Sequence, residues 1–169
     1  MIYPIVKYGD PVLEKPAATI TEFNDELRKL VDDMFESMYA AHGVGLAAPQ
    51  IGVSKRIAVI DVTFKEDPEA KIVLVNPEIV HTEGRQNSSE GCLSLPEFRE
   101  NVTRAFKVTA RAQNLKGDTI EVIGEELLAR ALLHEIDHLN GKLYIGHISA
   151  LKRDMMKRKI RKLMKQGEW

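Results

Sequence analysis

Two histidines and a glutamate occur at a spacing that suits metal-assisted hydrolysis. Residues 134–138 read His-Glu-Ile-Asp-His. Helix positions four apart lie on one face, roughly 5–6 Å apart at Cβ, so His134 and His138 can bind one cation. Glu135 lies beside them, where a carboxylate can take a proton from a water on that cation. The pattern therefore indicates a metal-dependent hydrolase. The alternative is a helix with two histidines that only pack or hydrogen-bond within the core.

The residues around this motif have the periodicity of a buried amphipathic helix. Apolar residues between Glu125 and Asn140 recur at helical spacings, with no proline or glycine inside. Gly141 follows, where a left-handed C-terminal cap is expected. The sequence therefore predicts a helix over about 125–140 with the motif on its inner face. Its apolar residues are Leu127, Leu128, Ala131, Leu132, Ile136 and Leu139.

The remaining patterns favour an α+β fold. Asn24 can cap an N-terminal helix over about 24–41, and a glycine-punctuated loop over 43–50 follows it. Strands cluster between the helices without regular βαβ alternation. We therefore expect mostly antiparallel sheets packed around the central motif helix, with a basic helix at the C-terminus. The predicted strands are 56–62, 72–76, 107–114 and 119–123, and a proline-containing segment over 3–18 is expected to be irregular.

Composition and cysteine content indicate a soluble globular protein of the cytoplasm. The 169 residues are 44% hydrophobic and 29% charged, which is ordinary for a globular chain. The N-terminus lacks the apolar run of a signal peptide, and no window approaches the roughly 18 apolar residues of a membrane span. Cys92 is the single cysteine, which excludes an internal disulfide and suits a reducing compartment. We therefore expect no membrane contact.

The charge is distributed unevenly along the chain. The net charge is −1, yet residues 151–169 contain eight Lys and Arg against two acidic residues. We expect a catalytic domain over 1–148 and a basic helix over 149–169, both parts of one single-domain chain, with Ser149 as the helix cap. Such a basic run can be the solvated face of an ordinary helix or a surface that binds phosphate groups of RNA.

A catalytic metal site usually has three protein ligands and one open position. The motif supplies two ligands, and no clear third one follows His138. Cys92, in the stretch Glu-Gly-Cys-Leu-Ser, offers the only thiolate. A lone cysteine is more often a small buried hydrophobe, so its spacing alone does not make it a ligand.

Three segments together resemble the peptide deformylases of bacteria. That family carries three motifs in order: G-φ-G-L-A-A-x-Q, matched by 43–50; E-G-C-L-S, matched by 90–94; and H-E-x-D-H, matched by 134–138. The last match includes Asp137, which a general metalloprotease motif does not require. The spacing of the motifs and the chain length also fit, so the resemblance extends over essentially the whole domain.

The resemblance implies a catalytic role for each matched residue. Glu135 would be the general base and later the general acid, while the Gln50 side chain and the Leu93 backbone N–H would donate to the developing oxyanion. The resemblance implies Fe²⁺ as the working metal, one ion per chain, with zinc, nickel or cobalt as substitutes, although ligand type alone favours Zn²⁺. The implied metal ligands are Cys92, His134 and His138.

The resemblance also implies which residues contact the substrate. Val44 and Gly45 would form the edge that aligns the peptide, and Arg99 would lie near its backbone, although an ordinary surface arginine is the alternative. Leu127 and Ala131 precede His134 on or near its helix face and could line a methionine pocket or simply belong to the core. Arg130 interrupts this apolar face and could lie at the pocket rim or point to solvent.

The implied activity is removal of the N-formyl group from the initiator methionine of nascent polypeptides, with release of formate. The implied partners are formylmethionyl nascent peptides and the exit region of the ribosome, contacted by the C-terminal helix. We expect a monomer in the bacterial cytoplasm. The alternatives are a zinc endopeptidase, which needs a further ligand after His138, and a non-catalytic metal-binding or RNA-binding module, which needs a fourth protein ligand.

Overall fold

A computed structural model describes residues 1–169 and contains three helices and two antiparallel sheets. The helices are α1 (Asp25–Ala40), α2 (Leu127–Leu139) and α3 (Ala150–Lys165). The strands are β1 (Gly45–Ala47), β2 (Ile57–Ile60), β3 (Ile72–Glu83), β4 (Gln86–Cys92), β5 (Leu95–Arg104), β6 (Lys107–Gln113) and β7 (Thr119–Glu125). One sheet has the order β1-β2-β3-β6-β7, and the other consists of β4 and β5. The predicted α+β class with antiparallel sheets is confirmed.

Strand β2 lies between two helices, so both of its faces are buried. Ile57 and Val59 belong to the apolar cluster that includes the inner face of α1. Ile60 packs with α2, and Ala58 packs beside Leu139 at the end of α2. Because successive strand residues point to opposite faces, this alternation explains why all four β2 residues are apolar and fully buried.

Helix α2 presents one apolar face to the five-stranded sheet. Leu132 and Ile136 are buried there against residues of β2, β3 and β6. After the helix, Gly141 has φ +75°, and a Cβ at this position would lie 2.8 Å from the carbonyl oxygen of Glu14. The predicted helix and its left-handed glycine are confirmed, but Leu127 is half-exposed and does not belong to the buried face.

The other elements predicted from periodicity are confirmed. Asn24 caps α1 by accepting a hydrogen bond from the Leu27 N–H at 3.1 Å. Strands β2, β6 and β7 begin or end within three residues of the predicted bounds. Strand β3 continues seven residues beyond them to Glu83, because its second half pairs with β6. The proline-containing N-terminal segment is irregular apart from a short 3₁₀ turn over Pro11–Glu14 and an isolated bridge at Ala18.

Three strands have no counterpart among the predicted ones. Strand β1 lies in the segment predicted as a glycine-punctuated loop, and Gly45 is paired with Ile60 of β2. Strands β4 and β5 form a two-stranded ribbon, and β4 reads Gln-Asn-Ser-Ser-Glu-Gly-Cys. This sequence lacks the apolar alternation that identifies strands, because the side chains of β4 serve hydrogen bonds and ion pairs rather than a core.

Helix α3 packs against the β4–β5 ribbon through two residues. Met156 and Ile160 are buried in a cluster with Leu95 and Tyr144. Ser149 caps the helix by accepting from the Lys152 N–H at 3.2 Å, as predicted. Other apolar residues of the helix are exposed, namely Leu151, Met155 and Met164. None of the three helices combines the length and the apolar character that crossing a membrane requires.

Asp61 is a fully buried carboxylate that joins α1 to the loop after β2. It accepts hydrogen bonds from the hydroxyls of Tyr39 and Thr63 and from the backbone N–H groups of Thr63 and Lys65. Its own N–H donates to the carbonyl of Val44 at 2.8 Å. Burial opposes ionisation, but the hydrogen bond from Tyr39 and those from the loop outweigh it and lower the pKa of Asp61 to about 2.

Replacement of Asp61 by Asn should lower the free energy of unfolding by about 1–3 kcal/mol at pH 7, because an amide offers an NH₂ group to donors that need an acceptor. Since the pKa of Asp61 is lower in the folded state, its contribution is complete above the unfolded value of 3.8 and is lost as pH falls towards 2. Urea unfolding of wild type and variant should therefore differ less at pH 3 than at pH 7.

The control for this comparison is Asp32→Asn, at an exposed position of α1. It should unfold like the wild type at pH 7. An equal stability loss in Asp61→Asn at both pH values would contradict the proposed charge dependence.

Candidate metal centre

Helix α2 and the end of β4 bring three possible ligand atoms together. His134 and His138 lie one turn apart on α2, and their Nε2 atoms are 3.2 Å apart. The Sγ atom of Cys92 is 3.3 Å from Nε2 of His138. The three ligand atoms all lie within 4.8 Å of one another.

These separations fit one divalent ion of the first transition row. Ligands about 2.0–2.3 Å from an ion in tetrahedral geometry are about 3.3–3.6 Å from each other, close to the two distances observed. One thiolate and two imidazoles form a donor set that zinc and iron both accept. The group contains three protein donors rather than the four of a closed structural zinc site, which leaves one coordination position for a small molecule.

A buried carboxylate fixes the orientation of His134. Glu90 lies on β4, and its Oε2 is 2.7 Å from Nδ1 of His134, which directs Nε2 towards Cys92 and His138. Arg104 donates to both carboxylate oxygens of Glu90, at 3.1 and 2.7 Å, and Arg130 donates to Oε1 at 2.7 Å. Burial opposes the charge of Glu90, but the hydrogen bonds from His134 and Arg104 lower its pKa, so the carboxylate is ionised.

Arg104 extends this network to the motif helix. Its Nη1 donates to Oδ2 of Asp137 at 2.8 Å, and Nε2 of His147 lies 3.0 Å from the same oxygen. Asp137, a residue of the third motif, thus positions Arg104, and Arg104 in turn is paired with Glu90. Sequence reasoning gave no role to Glu90 or Arg104. Glu90 could have been suspected from its place in the second motif, whereas Arg104 carries no sequence signal.

Glu135, the neighbour of His134 on α2, is also buried, but its surroundings differ from those of Glu90. Burial raises its pKa to about 7, with the charge of His134 opposing this shift and that of Glu90 adding to it. Its Oε1 is buried without a hydrogen-bond partner in the protein. A Cβ at position 45 would overlap Oε2, so Gly45 permits β1 to approach the carboxylate closely. At neutral pH this group can both accept and release a proton.

The two histidines have opposite pKa shifts. Burial disfavours the charged form of both. For His134 the neighbouring charges of Glu135, Cys92 and Glu90 outweigh burial and raise the pKa, while for His138 the proximity of His134 lowers it further. A proton and a divalent cation compete for the same Nε2 atom. The negative charges around His134 stabilise whichever of the two is bound there.

A cavity of about 410 Å³ opens beside these groups. Its walls come from β1, from the β4–β5 ribbon and from α2, and Cys92, His134 and Glu135 form part of its lining. The predicted substrate-contacting residues all lie in this lining, as do the two predicted oxyanion donors: Val44, Gly45, Arg99, Leu127, Ala131, Gln50 and Leu93.

Gln50 is buried with its amide group next to the sulfur of Cys92. Its Oε1 accepts from the Ala47 N–H at 3.0 Å, which leaves Nε2 facing Ser94 Oγ at 3.2 Å and Cys92 Sγ at 3.6 Å. The amide is therefore held in one orientation with its N–H groups towards the candidate metal site. Leu93 follows Cys92 and packs its side chain against the α1 cluster.

Two arginines of the cavity differ in burial. Arg99 is exposed and donates through Nε to the hydroxyl of Ser89 at 2.9 Å. Arg130 is buried, so the alternative in which it points to solvent is wrong. Its Nη1 is paired with Glu90, while its Nε and Nη2 have no hydrogen-bond partner.

Comparison with known proteins identifies a relationship over most of the chain. Residues 2–154 match the family model described as polypeptide deformylase. A peptide deformylase of Acidobacterium capsulatum is 68% identical over 169 residues, which are 100% of this chain and 99% of that protein. A second one, from Thermodesulfovibrio yellowstonii, is 50% identical and covers 95% of this chain and 97% of its own length.

Solved structures give the same result for the fold. The crystal structure of a peptide deformylase from Legionella pneumophila superposes with a TM-score of 0.91 at 47% identity, over 99% of this chain and 98% of that one. The peptide deformylase of Thermus thermophilus gives a TM-score of 0.88 at 38% identity, over 99% and 98% of the two chains. The chain belongs to the polypeptide deformylase family of hydrolytic enzymes.

Proposed function

We propose that this deformylase removes the N-formyl group from the N-terminal formylmethionine of newly synthesised polypeptides and releases formate, with one divalent metal ion bound per chain. The observation that carries the proposal is the convergence of Cys92, His134 and His138 beside a cavity into which a buried glutamate faces. Family membership supports the reaction, since deformylases act on formylated nascent peptides.

Cys92, His134 and His138 are the proposed metal ligands. A divalent cation held there would act as a Lewis acid that polarises the formyl carbonyl and lowers the pKa of a water molecule. We propose Fe²⁺ as the working ion on the basis of the family, with zinc, nickel or cobalt as substitutes, because a Cys-His₂ donor set accepts several first-row metals. The Glu90 network keeps His134 in the tautomer that offers Nε2 as the ligand atom.

Glu135 is the proposed general base and acid. Its Oε1 takes a proton from the attacking water as the C–O bond forms, and it then gives this proton to the nitrogen as the C–N bond breaks. The products are formate and the free amino terminus. Burial raises the pKa of Glu135, and no protein group donates a hydrogen bond to its Oε1, so the carboxylate is available for both transfers.

Gln50 and the backbone N–H of Leu93 are the proposed donors to the oxyanion. Negative charge develops on the formyl oxygen as its carbon becomes tetrahedral, and donors that are already oriented stabilise it without reorganisation. The hydrogen bond from the Ala47 N–H to Oε1 of Gln50 supports this role, because it keeps Nε2 on the side of the candidate metal site.

The proposed substrate path runs along β1. This strand lies at the edge of the five-stranded sheet, so Val44 and Gly45 can align an extended peptide through main-chain hydrogen bonds. Leu127 and Ala131 are the proposed walls of the methionine pocket, and the exposed Arg99 is the proposed contact with the peptide backbone further along. The formyl group of a peptide bound in this way would lie beside Cys92, His134 and His138.

The last helix is the proposed contact with the ribosome. We propose that residues 1–148 carry catalysis in a cytoplasmic bacterial monomer, and that the basic residues of 157–165 bind ribosomal RNA near the nascent-chain exit. Exposure supports this assignment: Arg158, Lys159 and Lys162 face solvent, while Met156 and Ile160 fasten the helix to the ribbon.

The first test measures formate release from formyl-Met-Ala-Ser. Protein purified without oxygen and loaded with Fe²⁺, or reloaded with Ni²⁺, should release formate and should not act on the acetyl analogue. Removal of the ion with a chelator should abolish turnover, and return of one ion per chain should restore it, because the ion supplies the Lewis acid. Protein with one bound ion that releases no formate would contradict the proposal.

Replacement of Glu135 by Gln should lower kcat by about 10²–10⁴-fold, the usual contribution of a positioned acid–base group. One metal ion per chain should remain, because the proposed ligands are unchanged. Metal analysis and steady-state kinetics test this expectation, with Glu66→Gln at an exposed loop position as the control. Wild-type turnover in Glu135→Gln would assign the proton transfer to another group.

The ribosome contact is tested by reversing charge on α3 without touching its buried face. Arg158→Glu, Lys159→Glu and Lys162→Glu together should reduce co-sedimentation with ribosomes at low salt while formate release from tripeptides is unchanged. A matched triple variant elsewhere should still co-sediment: Lys55→Glu, Arg85→Glu and Lys116→Glu. Equal loss in both triple variants would point to nonspecific charge effects and exclude α3 as the contact.

A further inference from the structure

Trp169, the last residue and the sole tryptophan, packs behind one wall of the substrate cavity. Its ring meets that of Phe98 edge to face, with centroids 6.0 Å apart and planes at 66°. Its indole Nε1 donates to the carbonyl of Tyr8 at 2.8 Å. Phe98 itself lines the cavity and Trp169 does not, so the indole contacts a wall residue without forming part of the lining.

The backbone of the N-terminal segment connects Trp169 with the catalytic loops. The Tyr8 N–H donates to the carbonyl of Ser94 at 2.9 Å, and the Val6 N–H donates to the carbonyl of Gln50 at 2.7 Å. Residues 6–8 therefore form a strap across the two loops that carry Gln50 and Ser94. The hydrogen bond from Trp169 to Tyr8 fastens the C-terminus to this strap.

Helix α3 brings Trp169 to this position. Met156 and Ile160 anchor the helix against the ribbon, and its end packs next to the strap at Gly9, where a Cβ would lie 2.7 Å from Cε of Met164. Gly167, with φ +70°, then turns the chain away from the helix axis. The arrangement directs the terminal side chain back to the body of the protein.

Contacts from Tyr144 and Trp169 support the cavity wall at Phe98. The preceding residue, Glu97, has φ +69°, a left-handed conformation that non-glycine residues rarely adopt. Phe98 is only partly buried, and the hydroxyl of Tyr144 donates to its carbonyl at 3.3 Å. The Tyr144 bond holds the backbone, whereas the indole of Trp169 is packed against the ring.

We propose that Trp169 is a positioning residue for peptide binding: it holds the Phe98 wall and the strap in the arrangement that accepts the substrate. The inference rests on the proposed function. No hydrogen bond or ring contact joins Trp169 to the proposed metal ligands or to Glu135, so we expect its loss to act on binding rather than on proton transfer. When the cavity wall is already ordered, less conformational entropy is lost as the peptide binds.

The kinetic test compares variants of the full-length, metal-loaded enzyme with formyl-Met-Ala-Ser. Trp169→Ala should raise KM about fivefold, a factor typical of one aromatic pair, while kcat stays within about twofold and metal content is unchanged. Trp169→Phe keeps a ring against Phe98 but loses the hydrogen bond to Tyr8, so it should recover part of the wild-type KM. The control, Leu151→Ala, removes a side chain of the same helix that is 71% exposed, and it should change nothing.

The outcomes separate a positioning role from a general structural one. An unchanged KM in Trp169→Ala would overturn the proposal. A fall in kcat together with loss of metal, not relieved in Trp169→Phe, would also overturn it, because this pattern indicates general destabilisation. A wild-type enzyme that releases no formate would refute the proposed function instead, and with it the peptide-binding role that rests on that function.

Fluorescence tests the contact in a protein that keeps Trp169. Because the chain has one tryptophan, its emission reports the ring beside Phe98 without interference from another indole. Titration of the metal-loaded Glu135→Gln variant with formyl-Met-Ala-Ser should shift this emission, with saturation near the KM of the wild type. No emission change at peptide concentrations that saturate the wild-type enzyme would overturn the proposed link between Trp169 and the cavity.

Discussion

The buried charge of Glu90 is the constraint on which the rest of the site depends. An ionised carboxylate that is 4% exposed is stable only when its lost hydration is replaced, and here Arg104, Arg130 and His134 replace it. These partners come from β5 and from α2, so the same ion pairs that stabilise Glu90 join the ribbon to the helix. Removal of either arginine would leave the buried carboxylate with one charged partner fewer and so less completely compensated.

This requirement explains why the β4–β5 ribbon is so polar. A strand that reads Gln-Asn-Ser-Ser-Glu-Gly-Cys buries little apolar surface, and the ribbon gains its attachment instead from Glu90 and from the packing of Leu95 and Val102 below α3. Cys92 ends this strand, so its position relative to α2 follows from the ion pairs two residues earlier. Cys92 is brought to the two histidines by these ion pairs as well as by apolar packing.

Features that depend on short segments of the chain could be predicted from the sequence. Features that depend on contacts between distant residues could not. The spacing of His134 and His138, the apolar period of α2 and the cap at Asn24 are properties of short segments, and each was predicted. The pairing of Arg104 with Asp137 joins residues 33 apart, and that of Trp169 with Tyr8 joins residues 161 apart. No short-range pattern encodes such contacts, which is why β4, β5 and both of these interactions were missed.

Two equally buried glutamates, Glu90 and Glu135, have pKa values that are shifted in opposite directions by their neighbours. Glu90 and Glu135 are each 4% exposed, yet the pKa of one is lowered and that of the other is raised to about 7. The difference lies in their partners: Glu90 has two arginines, whereas Oε1 of Glu135 has none. One carboxylate is thereby fixed as an anion that orients His134, a proposed metal ligand. The other remains able to carry a proton, and this division lets both act within one site.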